Sequence, residues 1–361
     1  MPEPLTIPES WQKAAATILQ DDRPLRVMVV GVPDAGKTSF CAFLAEALRE
    51  AGRSVGVVDA DVGQSSLGIP GTIAAGLVVQ PVTRLGDVPF QMGYFVGDVS
   101  PTGHMLACLV GCRLLCDRLR VRGAQVIIVD TSGLVLGPAG HELKLRKADL
   151  LRPHYIVLIQ RGDELANLAQ IWRARRYLTL IELPSSSAVQ PRSPIERRMR
   201  RAKRFRAYFG AAREITLDLN RVSLLGTRLM GGRALGTEAR EQLMQTLGQE
   251  VFHLQAESEG WIALVSDWVP TVRAAEAAQR LGTSALWCIP IRRLKGLLCG
   301  LHDENGYLMD VGLLQSLDLN RHQATVLAPR AEPSQVCTLE LGRVRLELDG
   351  TELERLRPGD L

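Results

Sequence analysis

One stretch near the N-terminus has the residue types and spacing of a phosphate-binding loop. Residues 31–38 read Gly-Val-Pro-Asp-Ala-Gly-Lys-Thr and fit the pattern G-x-x-x-x-G-K-[ST]. An apolar run (25–30) precedes this loop and a helical pattern (37–52) follows it, which argues against a chance match. Lys37 is expected to reach the β- and γ-phosphates of ATP, and Thr38 to place its hydroxyl on Mg²⁺. The predicted ATP-binding residues are Gly31, Pro33, Asp34, Ala35, Gly36, Lys37, Thr38 and Ser39.

Two carboxylates and an amide follow the next apolar strand of the chain. Val57 and Val58 lead into Asp59, and Asp61 and Gln64 come just after it. In an open α/β sheet, ligands bind at the carboxyl edge of the strands, where these side chains are expected. One carboxylate could organise Mg²⁺ or its waters, and the other could accept a proton from an attacking hydroxyl. A solvated acidic loop is the alternative, which the position after the phosphate loop disfavours.

A third strand end carries another acid. Residues 126–129 are Val-Ile-Ile-Val, and Asp130 follows them before Thr-Ser-Gly at 131–133. A buried strand with a carboxylate at its tip is typical of a site for a metal-bound water. Thr38, Asp59 and Asp130 are therefore the predicted metal-binding residues. Many nucleotidases have such an acid after a phosphate loop, so it does not separate kinases from GTPases.

Seven arginines and one lysine lie between residues 192 and 206. Most runs of this kind are solvated helix faces or nonspecific nucleic-acid patches. Phosphoryl transfer, however, needs guanidinium donors over the migrating phosphate, and these usually arrive on a mobile segment. A stretch rich in Pro and Ser, from Pro184 to Ser187, precedes the run and suits a hinge. The composition supports the two interpretations, a lid and a solvated or nucleic-acid-binding face, about equally.

Hydrophobic periodicity predicts the elements that would position these groups. Strand and helix signals alternate through the first half, which favours an α/β fold: a P-loop NTPase with a mostly parallel sheet flanked by helices. From about residue 213, short apolar segments separated by Gly, Asn and Pro predict a β-rich C-terminal domain with one helix near 237–249 and a hairpin turn at 304–306. The predicted domains are a short N-terminal helical extension (1–23), a P-loop domain (24–212) with a lid at 184–209, and the β-rich domain (213–361).

The composition narrows the class of protein. A chain of 361 residues can hold two domains, and its net charge of +4 is too small to indicate a nucleic-acid partner without local clustering. Neither a signal-like N-terminus nor an apolar stretch of membrane-spanning length occurs, so we expect a cytoplasmic protein with no membrane contact. Cys108, Cys112 and Cys116 share a predicted helix face and are interpreted as buried apolar side chains rather than a metal site.

Three further segments make the chain recognisable. Residues 61–72 read Asp-Val-Gly-Gln-Ser-Ser-Leu-Gly-Ile-Pro-Gly-Thr, residues 97–101 read Gly-Asp-Val-Ser-Pro, and the arginines from 192 to 204 are followed by Tyr-Phe at 208–209. They resemble, in order, the D-x-G-Q…I-P-G-T segment, the substrate-side G-x-x-[ST]-P loop and the Arg-rich lid of the polynucleotide 5′-hydroxyl kinases. This family includes cleavage-factor and ribosomal-RNA-processing kinases of eukaryotes and their archaeal relatives. The resemblance covers residues 24–210 well and the C-terminal part more loosely.

The resemblance implies a role for each matching residue. Lys37 and Thr38 would bind phosphates and Mg²⁺. Asp61 would orient or deprotonate the 5′-hydroxyl. Residues 131–133 correspond to a clasp that covers the P-loop lysine and the terminal nucleotide. Gln64 would assist at the site, and Arg192 and Arg197 would clamp the phosphates from the lid. The catalytic residues that the family pattern implies are thus Lys37, Asp61, Gln64, Arg192 and Arg197. The substrate-binding residues that the family pattern implies are Gln64, Thr72, Ser100, Thr131, Ser132 and Gly133.

Departures from the family pattern concern how the bases are held. Eukaryotic members carry Trp after the clasp glycine, and here the residue is Leu134, which removes about 1–3 kcal/mol of base stacking if nothing replaces it. Asp130 stands where some of those members have Asn, and both choices resemble the archaeal branch. The family's N-terminal domain, which helps hold the adenine, is expected to be largely missing, since only residues 1–23 precede the first strand. Trp11 in this stretch packs either on the nucleotide or, as we expect, on the domain core.

We therefore expect an enzyme that uses ATP and Mg²⁺ to phosphorylate the 5′-hydroxyl end of RNA or DNA by in-line transfer of the γ-phosphoryl group. The rival hypothesis is an ATP-binding scaffold of an RNA-processing assembly, which would need the phosphate loop but neither Asp61 nor an arginine lid. A GTPase switch would need a guanine-reading N-K-x-D strand end, and residues 159–163 (Ile-Gln-Arg-Gly-Asp) lack it. The sequence predicts no particular protein partner.

Overall fold

The computed structural model describes residues 7–185, 192–357 and 359–361. The chain folds into two compact units, residues 1–201 and 202–361. Residues 1–6 of the predicted N-terminal extension and residues 186–191 of the predicted hinge and lid lie outside the described residues. The domain bounds given above stay predictions.

The first unit alternates strands and helices from its N-terminus onward. Its elements, in chain order, are α1 (Glu9–Leu19), β1 (Leu25–Gly31), α2 (Lys37–Glu50), β2 (Val55–Ala60), β3 (Thr72–Leu77), β4 (Met92–Phe95), α3 (Met105–Val121), β5 (Val126–Thr131), α4 (Gly137–Leu151), β6 (Tyr155–Gln160), α5 (Ala166–Arg173), β7 (Thr179–Pro184) and α6 (Pro194–Phe209), within which the first unit ends.

These seven strands form one sheet in the order β4-β3-β2-β5-β1-β6-β7. Five strands, in the order β2-β5-β1-β6-β7, pair in parallel. Strands β3 and β4 are added antiparallel at one edge. Strands β2 and β5 are buried along their whole length, as expected of central strands covered by helices on both faces. The predicted α/β class with a mostly parallel sheet is confirmed. The sheet brings the carboxyl ends of β1, β2 and β5 side by side, which is where the site is built.

Helix α2 fixes the phosphate loop to the core. It buries Phe40, Leu44 and Leu48, which recur at the spacing of one helix face. Trp11 of α1 packs on this helix, with its ring centroid 5.3 Å from that of Phe40 and 5.8 Å from that of Phe43. The expectation that Trp11 packs on the domain core is confirmed. The thiols of Cys108, Cys112 and Cys116 are likewise buried on α3, as predicted.

The second unit is rich in β-structure. Its elements are β8 (Arg213–Asp218), β9 (Ser223–Leu225), β10 (Arg233–Ala234), α7 (Thr237–Leu247), β11 (Val251–Glu257), β12 (Gly260–Val265), α8 (Thr271–Arg280), β13 (Leu286–Pro290), β14 (Leu297–His302), β15 (Leu308–Asp318), β16 (Gln323–Ala328), β17 (Thr338–Leu346) and β18 (Glu352–Arg355). One sheet has the order β10-β11-β12-β13. The other has the order β18-β17-β14-β15-β16-β8, with β9 paired to β17.

Helix α7 and the hairpin between β14 and β15 agree with the sequence predictions for this unit. The prediction of one helix was wrong, because α8 is a second one. Its buried face consists of Ala274, Ala277 and Ala278, which are too small to give a strong apolar signal in the sequence. Within the described residues, no helix is both long and apolar enough to span a membrane.

Candidate functional site

The phosphate loop has the backbone conformation that its sequence predicts. Strand β1 ends at Gly31 and helix α2 begins at Lys37. Gly36 has a φ of +97° and Asp34 a φ of +58°, a left-handed region that glycine enters without strain and aspartate tolerates. No side chain of the described residues caps the first turn of α2, so its amides are available to phosphate oxygens. Ser39 lies exposed in that first turn.

Lys37 lies inside the loop rather than in solvent. Its side chain is buried, and its Nζ donates to the carbonyl oxygen of Val32 at 2.8 Å. The amide of Ala35 donates to the same carbonyl at 3.3 Å. The ammonium is therefore held at the centre of the loop, where the β- and γ-phosphates of a nucleotide are expected.

Thr38 and Asp130 meet at the carboxyl edge of the sheet. The Thr38 hydroxyl donates to Asp130 Oδ2 at 2.6 Å, and Asp130 Oδ1 is buried with no hydrogen-bond partner among the residues that the structure describes. Burial raises the pKa of Asp130 to about 7. The Asp59 carboxylate acts in the same direction, and the Lys37 ammonium opposes it. A buried carboxylate oxygen without a partner beside a hydroxyl is a donor set that suits a hard divalent cation.

Asp59 anchors the loop that follows β2. Its Oδ1 accepts from the amide of Asp61 at 3.2 Å, and its Oδ2 accepts from the hydroxyl of Ser65 at 3.0 Å and from the amides of Ser66 and Leu67. Burial raises the pKa of Asp59, and the Leu67 amide opposes this shift. These bonds favour a structural role for this carboxylate, and its role as a metal ligand stays a prediction. In the described parts of the chain, no three His, Cys, Asp or Glu side chains form a ligand cluster.

Asp61 holds its own loop with one oxygen only. Its Oδ1 accepts from the amides of Gly63 at 3.1 Å and Gln64 at 3.0 Å. Its Oδ2 accepts no hydrogen bond from any residue in the described ranges, and the side chain is only partly buried. The carboxylate therefore has a fixed orientation and one oxygen that can accept a proton or a hydroxyl donor.

Gln64 links this loop to the arginine-rich segment. Its Nε2 donates to the carbonyl oxygen of Gly63 at 2.9 Å and to that of Arg197 at 3.2 Å. The structure thus brings together three residues that the sequence predicted to be catalytic: Asp61, Gln64 and Arg197.

Arg192 and Arg197 both bind the side chain of Asp34, a residue of the phosphate loop. The Arg192 guanidinium donates to Asp34 Oδ1 and the Arg197 guanidinium to Asp34 Oδ2, both at 2.9 Å, and the Arg192 amide also donates to Oδ2 at 3.0 Å. Burial raises the pKa of Asp34, but the Arg192 amide and the Arg197 guanidinium outweigh it and lower the pKa below its usual value. Both arginines are therefore placed where phosphate oxygens would also attract them.

The predicted substrate-side threonines have their hydroxyls engaged. The Thr72 hydroxyl donates to the carbonyl oxygen of Ile69 at 2.9 Å, and the Thr131 hydroxyl to that of Val29 at 2.8 Å. Both residues are buried, so they shape their loops, and their contact with substrate stays a prediction.

The segment 97–101 lies against the Asp61 loop. A Cβ built on Gly63 would lie 2.7 Å from the carbonyl oxygen of Val99, so only glycine permits this approach. The amide of Ser100 donates to Asp98 Oδ1 at 2.9 Å, and the Ser100 hydroxyl accepts from the amide of Thr102 at 3.2 Å. His104 Nε2 lies 3.5 Å from the other oxygen of Asp98. Ser100 is thus placed on the same side of the sheet edge as Asp61.

The clasp segment 131–133 touches the phosphate loop. A Cβ on Gly133 would lie 2.8 Å from the backbone nitrogen of Pro33 and 2.7 Å from its ring, so the absence of a side chain allows the contact. Ser132, next to it, is buried and accepts hydrogen bonds from Lys144 of α4. The sequence signal for the clasp therefore marks a real contact with the phosphate loop.

Several residues at this edge were not singled out in the sequence. Lys144 and Lys147 are buried on α4, a helix that was not predicted, and their spacing of three on an apolar face is the signal that could have found them. Arg161 follows β6 at the same sheet edge and donates to the carbonyl oxygen of Asp34 at 3.4 Å. Ser185 follows β7 and donates to that of Ala35 at 3.2 Å.

The site has a phosphate loop between β1 and α2. Asp130 on the neighbouring strand accepts from the loop threonine, Thr38, and two arginines bind the loop aspartate, Asp34. These features define a P-loop nucleotide-binding protein. The family described as mRNA cleavage and polyadenylation factor CLP1 P-loop matches residues 31–211. The chain belongs to this family.

Two of the relatives match nearly the whole chain, and a third matches about half of it. A polyribonucleotide 5′-hydroxyl-kinase of Thermococcus kodakarensis is 31% identical over 355 residues, which covers 98% of this chain and 97% of that protein. One from Methanocaldococcus jannaschii is 28% identical over 353 residues. The bovine polyribonucleotide 5′-hydroxyl-kinase Clp1 is 30% identical over 199 residues, covering 53% of this chain and 46% of that protein. The structure of the wild-type Clp1p–Pcf11p complex has the same fold, with a TM-score of 0.60 and 14% identity over 92% of this chain and 79% of that chain.

Proposed function

We propose that this protein is an ATP-dependent polynucleotide kinase that phosphorylates the 5′-hydroxyl end of RNA or DNA. One observation carries the proposal: Arg192 and Arg197 bind Asp34 of the phosphate loop that holds Lys37, and the loop of Asp61 contacts the same arginine segment through the bond from Gln64 to the Arg197 carbonyl oxygen. An ATP-binding scaffold would need the phosphate loop alone. The names of the archaeal relatives, which match nearly the whole chain, support the same activity.

The chemistry assigns each of these side chains one task. The loop amides and Lys37 hold the β- and γ-phosphates. Asp61 Oδ2 orients the 5′-hydroxyl and accepts its proton as the 5′-oxygen bonds to the γ-phosphorus. The bond from the γ-phosphorus to the β,γ-bridging oxygen breaks, and ADP leaves. Arg192 and Arg197 exchange the Asp34 carboxylate for the oxygens of the transferring phosphoryl group, whose charge they stabilise.

The residues present fit a magnesium ion. Thr38 and Asp130 would hold it, since Asp130 Oδ1 is buried without a partner in the described residues and lies on the carboxylate that the Thr38 hydroxyl contacts. When bound, Mg²⁺ neutralises charge on the β- and γ-phosphates. Few protein ligands are needed, because Mg²⁺ keeps several waters and takes the rest of its shell from phosphates.

The proposed partners are 5′-hydroxyl ends of RNA or DNA, and ATP is the proposed phosphoryl donor. The cytoplasmic location expected from the sequence stays a prediction. Arg192, Arg197, Arg198, Arg200 and Arg201 belong to the first unit and concentrate positive charge there, which suits a polyanionic strand.

The test is transfer of label from γ-labelled ATP to matched RNA and DNA oligonucleotides with a 5′-hydroxyl. The same oligonucleotides with a 5′-phosphate are the negative control, because they offer no acceptor. We expect label on the 5′-hydroxyl oligonucleotides only. Bound ATP with no transfer to either oligonucleotide would favour the scaffold instead.

A variant of the phosphate loop ties the activity to this site. Lys37→Ala is expected to reduce turnover by about 10²-fold or more, because it removes a charge that bridges the phosphates in a water-poor site. The matched control is Lys13→Ala, which removes an exposed lysine of α1 that pairs only with Glu9 in the described structure. Near-normal turnover of the Lys37 variant would show that this loop does not hold the donor.

A further inference from the structure

Lys144 is a fully buried lysine directly behind the clasp. It lies on the inner face of α4, and its Nζ donates to the carbonyl oxygen of Ser132 at 2.6 Å and to the Ser132 hydroxyl at 3.2 Å. Burying an ammonium costs free energy unless hydrogen bonds compensate it, and buried lysines are rare. Both compensating bonds go to one clasp residue, so the position of this residue depends on Lys144.

The direction of these bonds determines what Ser132 can do. In its charged form Lys144 has three donors and no acceptor, so the Ser132 hydroxyl is then the acceptor in their bond. The hydroxyl proton is then directed away from Lys144 and can be donated to another group. Because the Ser132 carbonyl oxygen is held at the same time, the backbone of the clasp is fixed as well.

The surroundings of Lys144 place it within the site's charge network. Burial lowers its pKa well below the usual value, and the ammonium groups of Lys147 and Lys37 act in the same direction, while the carboxylates of Asp61 and Asp130 oppose them. The contacts that tie Lys144 to the site are its two hydrogen bonds to Ser132.

We propose that Lys144 is a positioning residue for phosphoryl transfer, which holds Ser132 so that its hydroxyl donates to an oxygen of the terminal nucleotide of the acceptor strand. The inference rests on the proposed function, because it needs a 5′-hydroxyl polynucleotide as acceptor. Within the clasp, the Thr131 hydroxyl donates to the Val29 carbonyl oxygen and Gly133 has no side chain, so the Ser132 hydroxyl is the side-chain donor that this segment can offer.

The test compares two buried lysines on one helix. Lys144→Met removes the ammonium that contacts Ser132 and keeps an unbranched side chain of similar length in the core. Lys147→Met is the matched control, because Lys147 is equally buried on α4 and donates to no clasp residue in the described structure. Thermal unfolding and ATP binding confirm that each variant is folded.

We expect Lys144→Met to lower kcat/KM for the 5′-hydroxyl oligonucleotide by about 10- to 100-fold, with the KM for ATP changed by less than about threefold. Lys147→Met should stay within about threefold of the wild type for both. Ser132→Ala should reproduce the loss, and adding Lys144→Met to it should cost less than about threefold more, since the pair acts through one contact.

Two outcomes would overturn the inference while leaving the kinase assignment in place: equal losses in the two lysine variants, or an undiminished loss from Lys144→Met in the Ser132→Ala background. If the Lys144 variant does not fold, Ser132→Ala alone decides, because an unchanged kcat/KM would exclude a role for its hydroxyl. Failure of the proposed function looks different, because the wild-type protein itself would then transfer no label.

Discussion

The Arg197 guanidinium donates to the Asp34 carboxylate at 2.9 Å, and Asp34 is itself a residue of the phosphate loop. Arg192 binds the other oxygen of the same carboxylate. A single aspartate of the phosphate loop therefore binds both arginines. Phosphate oxygens carry more negative charge than this carboxylate, so binding of ATP would compete with Asp34 for both guanidiniums.

Asp34→Asn should consequently tighten ATP binding. Asn tolerates the left-handed backbone at this position, so the substitution removes charge without adding strain. We expect the Kd for ATP to fall by about 3- to 10-fold at low salt and by less at high salt, since partly exposed ion pairs are weak and screened. Titration of ATP into both proteins measures this. Asp163→Asn, an exposed acid after β6, is the control. Weaker binding by Asp34→Asn would mean that Asp34 prepares the arginines for ATP instead.

Arg192→Ala and Arg197→Ala should act on turnover rather than on binding alone. In the lid interpretation they stabilise charge that peaks in the transition state, so we expect kcat at saturating ATP and oligonucleotide to fall by about 10²–10³-fold. Arg206→Ala, on the same helix as Arg197, is the control and should leave kcat unchanged. The measurement is made at two salt concentrations. An unchanged kcat with a salt-sensitive rise in KM would make the segment a docking surface for the strand.

Asp61→Asn should separate chemistry from nucleotide binding. Asn keeps the shape and can still accept from the amides of Gly63 and Gln64, but it cannot take a proton. We expect ATP affinity to be retained and kinase turnover to fall by about 10²–10⁴-fold, the usual range for a general base. Turnover equal to that of the wild type at every pH would exclude the base role. A parallel loss of ATP affinity would identify Asp61 as chiefly a metal ligand.

The sequence predicts the central features of this site because they depend on short, local patterns. The phosphate loop needs glycine at Gly36 for its positive φ, and the acids Asp59 and Asp130 lie near the carboxyl ends of apolar strands that must be buried. Parallel neighbours then bring these strand ends together, since Asp59 pairs in register with Asp130. Composition alone did not decide whether the arginine run is a lid or a solvated or nucleic-acid-binding face. Its contact with Asp34 joins residues about 160 positions apart, which a local pattern cannot predict.

What the sequence did not indicate depends on packing. Strand β3 contains Gly and two Ala, and strand β4 has only four residues, one of them Gly, so their apolar alternation is weak. Helix α4 carries lysines on its buried face, which contradicts the usual pattern of polar residues facing water. Only the folded structure shows that Lys144 contacts Ser132. Likewise, the sequence marked Thr72 and Thr131 as polar groups near substrate, and tertiary structure is needed to see their hydroxyls bonded to backbone carbonyls.

A matched pair of substitutions at Thr38 tests the metal site. Thr38→Ser keeps the hydroxyl that donates to Asp130 and should change activity by less than about 10-fold. Thr38→Ala removes it and should raise the Mg²⁺ concentration needed for half-maximal turnover by about 10-fold or more, since second-shell and direct ligand losses have effects of this order. Titration of turnover with Mg²⁺ distinguishes the variants. Identical Mg²⁺ curves for Ser and Ala would place the metal elsewhere.

Substitutions at Trp11 test the contribution of α1 to stability and whether the ring packs on the core or on the nucleotide. Its ring packs on Phe40 and Phe43 at the start of α2, so Trp11→Ala should lower the free energy of unfolding by about 2–3 kcal/mol, somewhat less than for a fully buried tryptophan. Trp11→Phe keeps an aromatic ring and should lose about half as much. Urea unfolding followed by circular dichroism measures both variants. Because the ring packs on the core, the Kd for ATP should stay within about threefold of the wild type for the folded variants. A large loss of ATP affinity with unchanged stability would instead show that Trp11 packs on the nucleotide.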